Sequence, residues 1–297
     1  MNPEPTNSVN PEPTPLATEH RPPEQAVFAA CIEPVGTKTL HVSRLHTALT
    51  APTFGWGALM QLAVEQKLSC LVTDTLDRTG LLRLAPARLA RFLQRAQRAN
   101  QHTTQIQRRH AGRIASAARQ VDLTIAACKG IAVESALYGG TGAREFSDLD
   151  ILVAPEDTRA IELLLVGLGY QPHRPCSATS SAQGAQRIRR ASFVWSVPTG
   201  DTLLPNVVVD VTCIWPHGAA RGPDFLREAL QRARRQPLPG LPGTSLPVLS
   251  PPDQIALVDD LTTAARAVGR QPKPILAGDR HRLLAQGNRS GRAGGMT

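Results

Sequence analysis

A chain of 297 residues with 41% hydrophobic content is long enough to bury one large core or two smaller ones. No apolar run approaches the roughly 18 to 20 residues needed to cross a bilayer, and the opening MNPEPTNSVNPEPTP has neither the basic nor the apolar region of a secretory leader, so a cytoplasmic protein without membrane contact is expected. The formal charge of +9 points to an anionic partner (nucleotide, nucleic acid or an acidic protein) without choosing among them, and 11 aromatic residues are too few for an extended base-stacking platform.

Residues 1–36 hold eight prolines and an imperfect duplication, NPEPT at 2–6 and 10–14, and are expected to form a disordered arm because they cannot bury enough apolar surface to offset ordering. From 37 to 120 the periodicity is helical, through VSRLHTALTA, WGALMQLAVEQKL and a long stretch from Pro86 to Gln120. That stretch places Leu89, Phe92, Leu93 and Ala96 on one stripe and Arg88, Arg91, Arg95 and Arg98 on the other side, where a solvated helix face explains them better than a nucleic-acid-binding strip.

At Val121 the pattern changes to alternating strands and helices: LTIAAC (123–128) as a buried strand, IAVESALYG (131–139) as a helix, FSDLDILVA (146–154) as a second strand. Pro155 then suits the first position of a helix whose stripe is Ile161, Leu164, Leu165 and Leu168. ASFVWSV (191–197) and NVVVDVTCIW (206–215) read as a hairpin across a turn in which Asp201 is a turn former. Beyond the core at 121–217 comes a C-terminal helical region at 218–268. It holds GPDFLREALQRARR, a proline-rich connector and a helix opened by the capping box Ser250-Pro251-Pro252-Asp253. Residues 269–297 read as a flexible tail. The expected fold class is therefore α+β, a small mixed sheet flanked by N-terminal and C-terminal helical regions.

Five cysteines, Cys31, Cys70, Cys128, Cys176 and Cys213, are scattered without metal-ligand spacing and read as free thiols. Of the 33 basic residues only Lys38, Lys67, Lys129 and Lys273 are lysine, and the arginine bias with abundant alanine suggests a GC-rich bacterial genome.

Two acids two positions apart, Asp148 and Asp150, would point to the same side of a strand. Either a cation sits between them or the segment is an exposed turn. Asp210 is a lone carboxylate in VVVDVTC, a run that otherwise reads as buried on both faces. If the hairpin lies beside the first pair, three acids without a matching base call for a divalent metal, and oxygen ligands favour Mg²⁺ or Mn²⁺. Lys129-Gly130 sits at a strand-to-helix junction suited to phosphate, and Arg144 could balance the acids or clamp a phosphate. Taken singly, Lys129 reads better as a surface lysine and Arg144 as a structural ion-pair partner, and it is their order along the chain that favours the phosphate reading. Gly139-Gly140-Thr141-Gly142 precedes a strand and reads as a flexible turn instead of a phosphate cradle.

The segment CKGIAVESALYGGTGAREFSDLDILVAPEDTRAIELLLVGLGYQP resembles the signature of the uncharacterised bacterial nucleotidyltransferase family of the DNA polymerase β-like superfamily. The order is Lys-Gly, helix, Tyr, Arg, Asp-hydrophobic-Asp, helix, Leu-Gly-Tyr. The resemblance runs from about residue 40 to 268. It departs from the family pattern at Thr212 and Cys213, where a His and an aromatic often follow the third acid, at Asp259-Asp260, where a His is common, and in a C-terminal helical region that looks short. The resemblance implies transfer of an NMP from an NTP to an acceptor hydroxyl with release of pyrophosphate, Asp148, Asp150 and Asp210 being the catalytic and metal-binding residues. Lys129, Gly130, Arg144 and Ser147 would bind the nucleotide, and the acceptor would be a small molecule, a protein or RNA. Two alternatives stand beside it, a catalytically degenerate binding or scaffold protein and an RNA (tRNA)-directed enzyme. No G-x-x-x-x-G-K-[ST], H-E-x-x-H or G-x-S-x-G motif offers a competing chemistry.

Overall fold

The computed structural model describes residues 22–33, 39–173, 192–215, 221 and 224–293. Most of the expected arm and Cys176 lie outside these residues. Within the arm, however, Pro23–Ile32 is a helix (α1), a correction to the disorder expected there. Prolines at its very start lack only donors that a first turn leaves unpaired anyway, and Val27, Phe28 and Cys31 are buried against the helices that follow. Those are α2 (Thr39–Leu49), α3 (Trp56–Glu65), α4 (Ser69–Arg78) and the long α5 (Ala87–Gln120), with a 3-10 turn at Leu82–Leu84. On α5, Leu93 is fully buried and Leu89 is packed beneath the N-terminal helices, but Phe92 is 63% exposed and does not join the stripe assigned to it.

The sheet grows from β1 (Ile125–Cys128), β2 (Asp148–Val153), β3 (Gln171–Pro172), β4 (Ser192–Pro198), β5 (Asn206–Thr212), β6 (Arg234–Pro237) and β7 (Ser245–Val248). Their order is β3-β4-β5-β2-β1-β7-β6, mixed because β2 runs parallel to β5 and β1 parallel to β7. The expected hairpin is β4 against β5. Helices α6 (Lys129–Leu137) and α7 (Thr158–Gly167) follow β1 and β2.

Alternation divides the sheet into two faces. Ile125, Ala127, Leu149, Ile151, Val153, Val207, Val209 and Val211 point to a core shared with α5 and α7. Ala126, Cys128 and Leu152 point the other way, toward α8 (Phe225–Gln231) and α9 (Pro251–Ala267). The strand carrying Asp210 is thus buried on one face only, not on both, since alternate residues of β5 are half exposed.

The C-terminal part differs most from expectation. RARR ends α8 early and enters β6, and the proline-rich connector carries β7, so this hairpin extends the sheet into the region expected to be helical. Pro237 and Pro247 are tolerated because β6 is an edge strand and β7 pairs with β1 at a single register position. Ser250 caps α9 through the Asp253 N–H as the sequence anticipated. The expected tail contains helix α10 (Pro274–Ala293), which also removes the apparent shortness of the C-terminal helices.

Candidate active site

Asp148 and Asp150 alternate with buried Leu149 and Ile151, so both leave β2 on the face opposite the α5 core. The parallel register sets Asp150 beside Asp210 and Asp148 beside Val208, and residues in register on neighbouring strands share a face. All three acids line one cavity of about 380 Å³, together with Lys129, Gly130, Arg144, Ser147 and Asn100 of α5. Among the described residues no arginine pairs with Asp210, and its Oδ1 is buried without a hydrogen-bond partner, an arrangement that costs free energy unless something charged or protonated approaches.

Lys129 supplies a cation to this pocket. Its Nζ stands 2.5 Å from Asp150 Oδ1, and its backbone is left-handed at φ 52°, an uncommon conformation for a non-glycine residue at the turn from β1 into α6. Burial, the largest single influence, opposes the Lys129 ammonium, but the charge and hydrogen bond of Asp150 together with the neighbouring Cys128 and Asp210 outweigh it and the pKa is raised. Burial also pushes Asp150 up to about 6; Lys129 opposes this, while Asp148 and Asp210 add to it. Asp210 is raised for the same first reason, burial, with Lys129 again opposing and Asp148 reinforcing. As the side chains stand, no three His, Cys, Asp or Glu among the described residues form a group that could hold a metal ion. The donor chemistry nonetheless suits a hard divalent cation, being all oxygen with one orphaned carboxylate oxygen. Lys129 holds only Oδ1 of Asp150, and an ion bound there would compete with that ammonium for the carboxylate.

Gly130 is needed for a reason the sequence does not reveal: a Cβ there would stand 2.5 Å from Phe146 Cβ, so its missing side chain makes room for Phe146 under the pocket. Ser147 is exposed, with its hydroxyl 3.4 Å from Asp148 Oδ1. Arg144 does not balance the Asp148–Asp150 pair. Its guanidinium is buried against Asp279 of α10, with Nη2 2.9 Å from Oδ2, and Nη1 donates to the Glu145 carbonyl. Asp279 also accepts from the Tyr138 hydroxyl at 2.5 Å. Glu145 in turn accepts from the Cys70 N–H and Ser69 hydroxyl at the start of α4, a favourable place for an anion.

Gly139–Gly142 is a turn, as read, but a fastened one. Glu134, paired with buried Arg108, accepts the Gly142 N–H, and Asn100 donates to the Gly142 carbonyl. At Gly142 φ is +74° and a Cβ would meet the Gln101 backbone at 2.8 Å, so only glycine fits. Asp201 is the turn former expected, accepting from the Leu203 and Leu204 N–H groups, and it also meets His102 of α5.

Lys67 and Lys273, both in the cavity lining, were missed by the sequence reading. Three of the chain's four lysines therefore meet at one pocket. Lysine scarcity in an arginine-rich chain was the available signal. Asp259 and Asp260, where the resemblance expects His, are taken by ion pairs with Arg280 and Arg221.

The geometry is that of an α+β protein: a mixed sheet flanked by helices, with an acid-lined pocket beside its central strands. Residues 52–263 match the model of an uncharacterised nucleotidyltransferase family, and the chain belongs to that family. Among solved structures, the antibiotic-resistance factor ANT(2'')-Ia is similar at 17% identity over 64% of this chain and 89% of that chain, with a TM-score of 0.39. No curated protein matches. Helices α1, α2 and α10 lie outside the family match. No helix among the described residues is long and apolar enough to cross a membrane.

Proposed function

We propose that this nucleotidyltransferase moves an NMP from an NTP to an acceptor hydroxyl, releasing pyrophosphate, and requires Mg²⁺ or Mn²⁺ held by Asp148, Asp150 and Asp210. A divalent ion bound to these acids supplies charge neutralisation to the triphosphate and makes the acceptor hydroxyl a better nucleophile. The acceptor oxygen forms a bond to the α-phosphorus as the bond to the bridging oxygen breaks. The hydroxyl proton passes to Asp210, whose Oδ1 is otherwise unpartnered. Lys67 and Lys273 draw the triphosphate into the cavity, and Lys129 joins them when it leaves Asp150. The Gly130 N–H, in the first turn of α6, is placed to donate to a phosphate oxygen. Arg144 is a positioning residue here, holding the loop before β2 through Asp279 and the Glu145 carbonyl.

The observation that carries this reading is the in-register placement of Asp150 and Asp210 on adjacent parallel strands, open to a cavity where three lysines gather. Pyrophosphate release by the purified protein with each NTP, Mg²⁺ and cell extract tests it. The expected result is Mg²⁺-dependent release that Asp148→Asn or Asp150→Asn lowers by about a hundredfold or more, with the fold intact. Wild-type release in the double variant contradicts the assignment.

A further inference from the structure

Helix α5 carries eight arginines and neither Asp, Glu nor Lys in its 34 residues, against a net charge of +9 for the whole chain. Arg108 is neutralised by Glu134. Arg109, Arg113 and Arg119 are exposed, follow one another along one side of the helix, and have no carboxylate partner among the described residues. They line a groove of about 380 Å³, distinct from the carboxylate cavity, whose other wall is Arg235 of β6 with the hydroxyl residues Thr244 and Ser245. No acid lines it. The groove is built by close packing: a Cβ on Gly112 would stand 2.7 Å from Thr244 Cγ2, so only a glycine lets the loop between β6 and β7 approach the helix this closely.

We infer that this groove binds the phosphodiester backbone of a nucleic-acid strand. These three arginines and Arg235, which likewise has no carboxylate partner among the described residues, present planar forks that match phosphate oxygens, flanked by hydroxyl donors. From Arg109 to Arg119 the arginines extend about 15 Å along the helix axis, a line of charge suited to consecutive phosphates and larger than one phosphate group needs. An acidic membrane surface would call for exposed apolar residues to insert, and the groove offers few, chiefly the half-buried Leu241. Without aromatic side chains in the lining, recognition is of backbone and not of base. The same helix contributes Asn100 to the carboxylate cavity, about 14 Å along the axis from Arg109. The inference stands on charge and shape alone and does not need that cavity to be catalytic.

Fluorescence anisotropy of labelled 20-nucleotide single strands, one RNA and one DNA of equal sequence, tests it with the full chain between 50 and 200 mM NaCl. Four phosphate contacts predict a log–log salt slope near −3, a roughly fiftyfold loss of affinity over that range. Replacing Arg109, Arg113, Arg119 and Arg235 together by Ala is expected to weaken binding at least about tenfold at 100 mM NaCl and to flatten the slope. The four Arg→Lys replacements, which keep the charge, are expected to retain most of the slope and guard against a folding defect in the Ala variant. Unequal affinities for RNA and DNA would name the strand. Strand affinity unchanged in the Ala variant overturns the inference, as does a groove that takes tripolyphosphate, polyglutamate or anionic vesicles while neither strand binds.

Discussion

Asp210 carries a folding cost that no hydrogen-bond partner of its Oδ1 among the described residues relieves. Burial raises its pKa and leaves Oδ1 unpartnered, so its charged form is less favourable in the folded chain than in the unfolded one. A raised carboxylate pKa weakens folding as pH climbs from the unfolded value near 4. Asp210→Asn, which cannot ionise, is therefore expected to melt higher than the wild type at pH 8 in EDTA, by about 1 kcal/mol or less given its partial exposure. At pH 4 the difference should shrink toward zero. Thermal melts at the two pH values check this, and a variant destabilised at both contradicts it. At this scale the Asp148–Asp150 pair was legible because strand alternation alone fixes which side chains share a face. Lys67 and Lys273 were not, because they reach the cavity from connections far apart in sequence, on either side of the core. Nor was the choice of Arg144 for Asp279, since 135 residues separate the partners.

Among the elements, those with strong periodicity and clear punctuation were readable: β1, β2, the β4–β5 hairpin, and α9 with its Ser250 cap. Those missed have weak local signals and are stabilised by packing. Helix α1 lies among prolines and gains its place from Val27, Phe28 and Cys31. The β6–β7 hairpin is broken by prolines and exists as an extension of β1. Helix α10 is rich in arginine and glycine, and it is held by Ile275, Leu283 and above all Asp279, which is only 2% exposed. Removing one member of a buried ion pair leaves the other charge uncompensated, at about 3 to 5 kcal/mol. Asp279→Ala is accordingly expected to lower unfolding free energy by that amount in urea titrations, because Arg144 and the Tyr138 hydroxyl both lose their acceptor. A loss under about 1 kcal/mol would mean that α10 does not anchor the loop before β2.

At the scale of the whole molecule, the two kinds of basic residue are placed differently. Arginine is concentrated along α5, while the acids of β2 and β5 share one pocket with three of the four lysines. Both features use the same sheet, whose one face supports α5 and whose other face carries the acids. The overall charge was visible in the composition, but its division between a helix and a pocket depends on which strands become neighbours. That is set by the β2–β5 and β1–β7 parallel pairings, which join segments more than 50 residues apart. The central claim, that the three acids direct attack on the α-phosphorus of an NTP, is tested most directly by the fate of the label in two parallel incubations with Mg²⁺ and acceptor extract, one with α-³²P-NTP and one with γ-³²P-NTP. The account predicts that the α label becomes attached to an acceptor, that the γ label leaves as pyrophosphate, and that Asp150→Asn does neither; transfer of the γ label, or full α transfer by Asp150→Asn, would contradict it.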